Sequence, residues 1–118
     1  MKVYDRSRLL DAVKKFNEQD YFECHEILED IWFDVRDDSR DIYRGLLHIA
    51  VGLYHLTKKN NPKGTLIQLN KAAEKLARFE NTCREIDMPA LLKQVNSLIK
   101  KIQKKEQPGR LPKIKLLV

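Results

Sequence analysis

The chain has 118 residues, with 23 Lys and Arg against 17 Asp and Glu, a formal net charge of +6 and 42% hydrophobic residues. That length and balance describe one soluble domain and exclude repeat arrays and multidomain enzymes. No run approaches the roughly 18 apolar residues of a membrane span, and the opening Met1-Lys2-Val3-Tyr4-Asp5 lacks the apolar core of a signal peptide, so a cytoplasmic location without membrane partners is expected.

The periodicity is helical nearly throughout: Gly and Pro are few, and apolar residues recur at three- and four-residue spacing. A first helix is predicted from about Asp5 to Phe16, burying Leu9, Leu10, Val13 and Phe16, with Asn17 as its terminating residue. A second starts at Asp20, where Asp20 and Glu23 have the spacing of a capping box, and continues to about Val35. Ser39 or Arg40 opens a third, whose dense apolar run from Ile42 to Leu56 makes it the centre of the bundle. Asn61 caps a fourth with Pro62 at its first position, running to about Glu80, and Asp87 before Met88-Pro89 starts a fifth that spans about residues 88–106. The remaining segment, residues 107–118, carries Leu111, Ile114, Leu116 and Leu117 and is expected as an extended strap packed across the bundle. The fold class is all-α, a single-domain bundle of about five helices covering residues 1–118, with the second and third helices as its core pair.

Charge is segregated along the chain. From Glu18 to Asp41 ten acids face two bases, and from Lys93 to Val118 eight bases face Glu106 alone. Opposed blocks suggest neutralisation within the fold or between two copies, so self-association is the expected partnership. Nucleic acid is the less favoured partner: Lys100, Lys101, Lys104 and Lys105 have phosphate-contacting spacing, but no aromatic interleaves them.

All three histidines lie on the second and third helices. On the second, Tyr21, His25, Leu28, Glu29 and Trp32 fall along one stripe; on the third, Arg44, His48 and His55 do the same among apolar neighbours. An antiparallel pairing would bring these groups into one polar cluster. Three chemistries compete for it. A divalent metal would take His25 and Glu29, at i and i+4, with His48 or His55 as a third ligand, although the chain has neither the His-Glu-x-x-His run of zinc hydrolases nor paired Glu-x-x-His motifs. Metal-free anion binding or acid–base work would use Arg44 to hold an anionic group while His25, oriented by Glu29, moves a proton. A structural network would pair the same groups with Arg44 and the Trp32 indole simply to fix helix register.

Gly45, Gly52 and Gly64 each cost roughly 1 kcal/mol against alanine inside a helix, and close helix packing is the expected compensation. Cys24 and Cys83 lack the close spacing of a zinc clip or a secreted disulfide framework and are expected as reduced core thiols. Adjacent helical residues point about a hundred degrees apart, so His25 is poorly aimed to activate Cys24.

Taken together, Phe16-Asn17-x-x-x-Tyr21-Phe22-Glu23-x-His25-Glu26-x-Leu28-Glu29-x-x-Trp32, then Tyr43-Arg44-Gly45-Leu46 through Ala50 to Tyr54-His55, then Asn61-x-x-Gly64, resemble the bacterial and archaeal family called domain of unknown function 309. The likeness covers roughly residues 10–76. It implies a small all-helical bundle and no established activity, with His25, Glu26, Glu29, Trp32, Gly45, His55, Asn61 and Gly64 at motif positions around one pocket or polar core. Family members often carry glutamine where this chain has His48, and alanine where it has Thr65. The first departure leaves His25, Glu29 and His55 as the candidate metal set.

The reading is therefore a helical-bundle protein whose candidate catalytic residues are His25, Glu26 and Glu29, with Trp32, Arg44, Gly45, His55 and Asn61 as ligand-binding candidates for a small-ligand or hydrolytic pocket. The alternatives are a non-catalytic homodimeric interaction module and a nucleic-acid accessory protein using the basic C-terminal helix.

Overall fold

A computed structural model describes residues 6–81 and 85–117. Asp5, at the expected start of the first helix, Cys83 and Val118 lie outside the described residues. Within them the chain forms α1 (Arg6–Asn17), α2 (Tyr21–Asp34), α3 (Arg40–Lys58), α4 (Pro62–Ala77) and α5 (Met88–Gln103). No helix among the described residues is long and apolar enough to cross a membrane.

The expected starts of α4 and α5 are borne out in atomic detail. Asn61 Oδ1 accepts from Gly64 N at 3.0 Å and Asp87 Oδ1 from Ala90 N at 3.1 Å, each with proline in the first turn, where a missing amide is harmless. The capping box at Asp20 does not form: Asp20 occupies the N-cap position without a side-chain cap bond, and its carboxylate faces Lys15 at 3.9 Å instead. Ser39 makes no cap either. Its amide and hydroxyl both donate to Asp37 Oδ1, at 2.9 and 2.5 Å, so Asp37 organises the turn into α3 and its carboxyl is held below the usual range by those two bonds.

The helices α1 and α5 both end through a non-glycine residue in a left-handed conformation. Gln19 and Lys105 adopt left-handed backbone, φ 64° and 60°. Around each, paired backbone bonds (Asp20 N to Lys15 O and Gln19 N to Phe16 O; Glu106 N to Lys101 O and Lys105 N to Ile102 O) close a Schellman motif. Asn17 has a different task. Its Nδ2 donates to Ile114 O at 2.9 Å and its Oδ1 accepts from Ile114 N at 2.8 Å, as a neighbouring strand would. Gln94 treats Lys113 in the same way. With Ile86 and Leu116 forming an antiparallel bridge, Ile114 buried and Leu111 packed against the core, the C-terminal segment is the packed strap the sequence suggests, except that Leu117 is left exposed.

The helix α3 is central, but its more extensive partner is α4 rather than α2. The glycines explain the intimacy. A Cβ on Gly45 would stand 2.6 Å from Leu76 Cγ, and one on Gly52 3.2 Å from both Gln68 Cβ and Leu69 Cδ2, so α4 approaches α3 more closely than alanine permits. At the crossing, Thr65 is fully buried and its hydroxyl bonds Gly52 O and Asn61 O, both at 3.0 Å. The hydroxyl therefore ties the two backbones together where the resemblance suggests alanine.

Candidate functional site

The face that α2 turns inward is set by packing. Tyr21, Cys24, Leu28 and Ile31 are buried, His25 and Trp32 are half-buried at the edge of that stripe, and Glu26 and Glu29 are exposed. The expected stripe of His25, Glu29 and Trp32 is thus rotated outward by part of a turn. Helices α2 and α3 do run antiparallel, because the Arg44 guanidinium lies 4.8 Å from the centre of the Trp32 ring while Phe22 stands 5.9 Å from Tyr54 at the other end. That register spreads the polar groups instead of gathering them. Arg44 and His55 are eleven residues apart on one helix, about 16 Å along its axis.

Among the described residues no three His, Cys, Asp or Glu side chains are grouped as one metal ion would require. His25, Glu29 and His55 are not drawn into a ligand set: the His25 ring lies tilted beside Phe22, centroids 5.8 Å apart, Glu29 is exposed, and the His55 ring sits beside Gly64 with its Nδ1 buried and without a hydrogen-bond partner among the described residues. Glu26 and Glu29 both stand exposed on the outer side of α2. Asn61 is the α4 cap, and Gly64 is small because a Cβ there would meet Asn61 Nδ2 at 2.6 Å. Gly45 is likewise a packing residue.

Arg44 does reach a cavity, with partners from α4 that sequence reasoning left out. Arg44, His48, Lys71, Glu74 and Lys75 line a groove of about 380 Å³, three cations against one carboxylate. His48 is buried at its base, and its Nδ1 lies 2.8 Å from Gln68 Oε1. With a carbonyl oxygen as partner, Nδ1 carries the hydrogen and the neutral ring leaves Nε2 as its acceptor. Burial is the main reason the His48 imidazole titrates below its usual 6.5; the Gln68 bond opposes this, while Arg44, Lys71 and Lys75 add to it. A neutral imidazole among three cations is the consequence.

Trp32 stands against Arg44, outside the groove's own lining. Arg40 and Arg44 both lie over its ring, at 4.5 and 4.8 Å, and the buried Arg40 Nε has no hydrogen-bond partner among the described residues. The spacing of Gln68, Lys71 and Lys75, at i, i+3 and i+7, was a signal that one face of α4 carries these groups. Nothing local says which helix that face meets.

Cys24 belongs to the core. It is fully buried, and burial together with the Asp20 charge pushes its thiol up to about 12, which removes it as a nucleophile at neutral pH.

Residues 9–68 match a family model described as "Domain of unknown function (DUF309)". The chain is 32% identical over 105 residues to an uncharacterised protein, YpuF, of Bacillus subtilis (strain 168), covering 86% of this chain and 59% of that one. It is 26% identical over 108 residues to an uncharacterised protein of Aquifex aeolicus (strain VF5), covering 91% of this chain and 31% of the other. The chain therefore spans from about a third to three fifths of the length of these relatives.

Proposed function

The chain belongs to the DUF309 family, for which no activity is established, and we propose from the α3–α4 groove that it binds a small phosphate-bearing ligand. The convergence of Arg44, Lys71 and Lys75 over a buried, hydrogen-bonded His48 carries this reading. An arginine fork offers two parallel donors to a phosphate, lysines add point charges, and a cavity of this size suits a small molecule. Of the residues singled out by the sequence, Arg44 and His48 line the groove, and Trp32 stands against Arg44 beside it. His25, Glu26 and Glu29 do not serve it, and no hydrolytic step is assigned to them.

The sole tryptophan stands against Arg44, so it reports on the groove. Inorganic pyrophosphate is expected to change Trp32 fluorescence saturably, and Lys71→Gln with Lys75→Gln to weaken that response about tenfold or more. A flat titration of the wild-type protein overturns the reading.

A second reading, self-association, draws on α2. Phe22 and Phe33 are 51% and 69% exposed and share a stripe with the solvent-facing Glu26 and Glu29. It expects a dimer by sedimentation that Phe33→Ser dissociates, and a monomer at all concentrations counts against it.

A further inference from the structure

A second basic surface lies away from α3 and α4, along α5 and the strap. Two adjoining cavities, of about 620 and 330 Å³, share Gln94 and Arg110 and between them take in Lys93, Lys101 and Lys113; no acidic residue lines either. From Met88 to Leu117 the only acid is Glu106. Two of these lysines are spent on the fold: Lys101 Nζ reaches Pro108 O at 3.5 Å and Lys113 Nζ reaches Asn17 O at 3.1 Å. Lys93, Lys100, Lys104 and Arg110 are exposed and take part in no ion pair among the described residues. The acidic block on α2 thus leaves them uncompensated.

The arrangement is linear. Lys93, Lys100 and the C-cap Lys104, at i, i+7 and i+11, share one stripe and span about 16 Å; Lys93 lines the groove together with Arg110 of the strap, and the other two continue the row beyond that lining. A small anion would use one or two of these charges, whereas a polyanion uses the row. No aromatic residue follows Phe79, so the surface has no platform on which unpaired bases could stack. A duplex keeps its bases stacked within itself and presents about one negative charge per 1.7 Å of axis. We infer that the exposed lysine row of α5, with Arg110 at the edge of the strap groove, is a binding surface for the phosphate backbone of a nucleic-acid duplex, read without regard to sequence, and separate from the α3–α4 site.

Fluorescence anisotropy with a labelled duplex of about 20 base pairs tests this on the full chain. Four phosphate contacts predict a slope of log affinity on log salt of about −3.6, a loss of about 150-fold between 50 and 200 mM salt. Replacing Lys93, Lys100 and Lys104 by Gln should bring the slope to about −0.9, and Lys71→Gln with Lys75→Gln should leave it unchanged. Should the triple variant melt early, Lys100→Gln alone is expected to reduce the slope by about 0.9. The inference is overturned by an absence of binding at 50 mM salt, by binding indifferent to the α5 lysines, or by binding lost with the α4 pair instead. It is also overturned if the α5 substitutions dissociate a dimer while leaving duplex affinity intact, which would assign the groove to a second copy.

Discussion

His48 of α3 and Gln68 of α4 hold one another across the glycine-lined seam of the bundle, Nδ1 to Oε1 at 2.8 Å, and a carbonyl oxygen as partner puts the imidazole hydrogen on Nδ1. A buried imidazole bonded on one side and surrounded by cations is a proton-linked element whichever ligand the groove receives.

Because His48 titrates below its ordinary value when folded, the unfolded chain holds more protons than the folded one in the window below about 6.5. Stability from this group is complete above that pH and is lost as pH falls through the folded value. Thermal melts from pH 7.5 to 5 should show a decline that His48→Gln flattens, and an equal decline in both proteins would refute the assignment. An anion in the groove stabilises the imidazolium, so pyrophosphate should raise the His48 titration midpoint, which imidazole proton shifts measure directly.

Gly45→Ala tests the closeness of α3 and α4. The new methyl meets Leu76 Cγ at 2.6 Å in a fully buried position, and overpacking of this kind costs about 1–3 kcal/mol against a gain of about 1 kcal/mol in helix propensity. Urea unfolding should show net destabilisation. A more stable variant would mean that the helices are not in contact there.

Asn61→Ala removes the α4 cap and should cost about 1 kcal/mol. Gly64→Ala displaces the same amide from its seat, so the double variant should lose less than the sum of the two single losses. Chemical denaturation of all three decides the point.

The strap depends on Asn17. Its amide supplies both hydrogen bonds to Ile114, and Asn17→Ala leaves that buried backbone unpaired at a cost of about 1–3 kcal/mol. Hydrogen exchange at Ile114 should quicken well before that of α3 amides. Equal protection in the variant would show that apolar packing alone holds the strap.

Cys24 is expected to resist thiol reagents in the folded protein at pH 8 and to react once the chain unfolds, since burial and Asp20 push its thiol up to about 12. A Cys83→Ser background isolates the signal. Rapid labelling of native protein would contradict the buried placement.

Much of the architecture was legible in the sequence because it is written locally. Asn61-Pro62 and Asp87-Met88-Pro89 start helices through side-chain oxygens three residues from the amides they accept, and the 3.6-residue apolar period sets the helices between them. The cost of Gly45 and Gly52 likewise announced close packing before any partner was known. The helix ends at Gln19 and Lys105 were not legible, because non-glycine residues take left-handed backbone there under the demand of the motif around them.

The site divided along the same line. Arg44 and Trp32 were visible as polar and aromatic residues on apolar helices, but Lys71, Lys75 and Gln68 look like an ordinary solvated face until α4 closes on α3. His25 stands at the edge of the buried stripe of α2 and Glu26 and Glu29 outside it, because periodicity determines how far apart residues stand around a helix and not which azimuth its neighbours bury. Alone, the sequence determined the helices, their order and the charges they carry. Only the tertiary structure decided which charges meet, because electrostatic and steric contacts act through space, and the glycine-permitted approach of α4 to α3 sets that space.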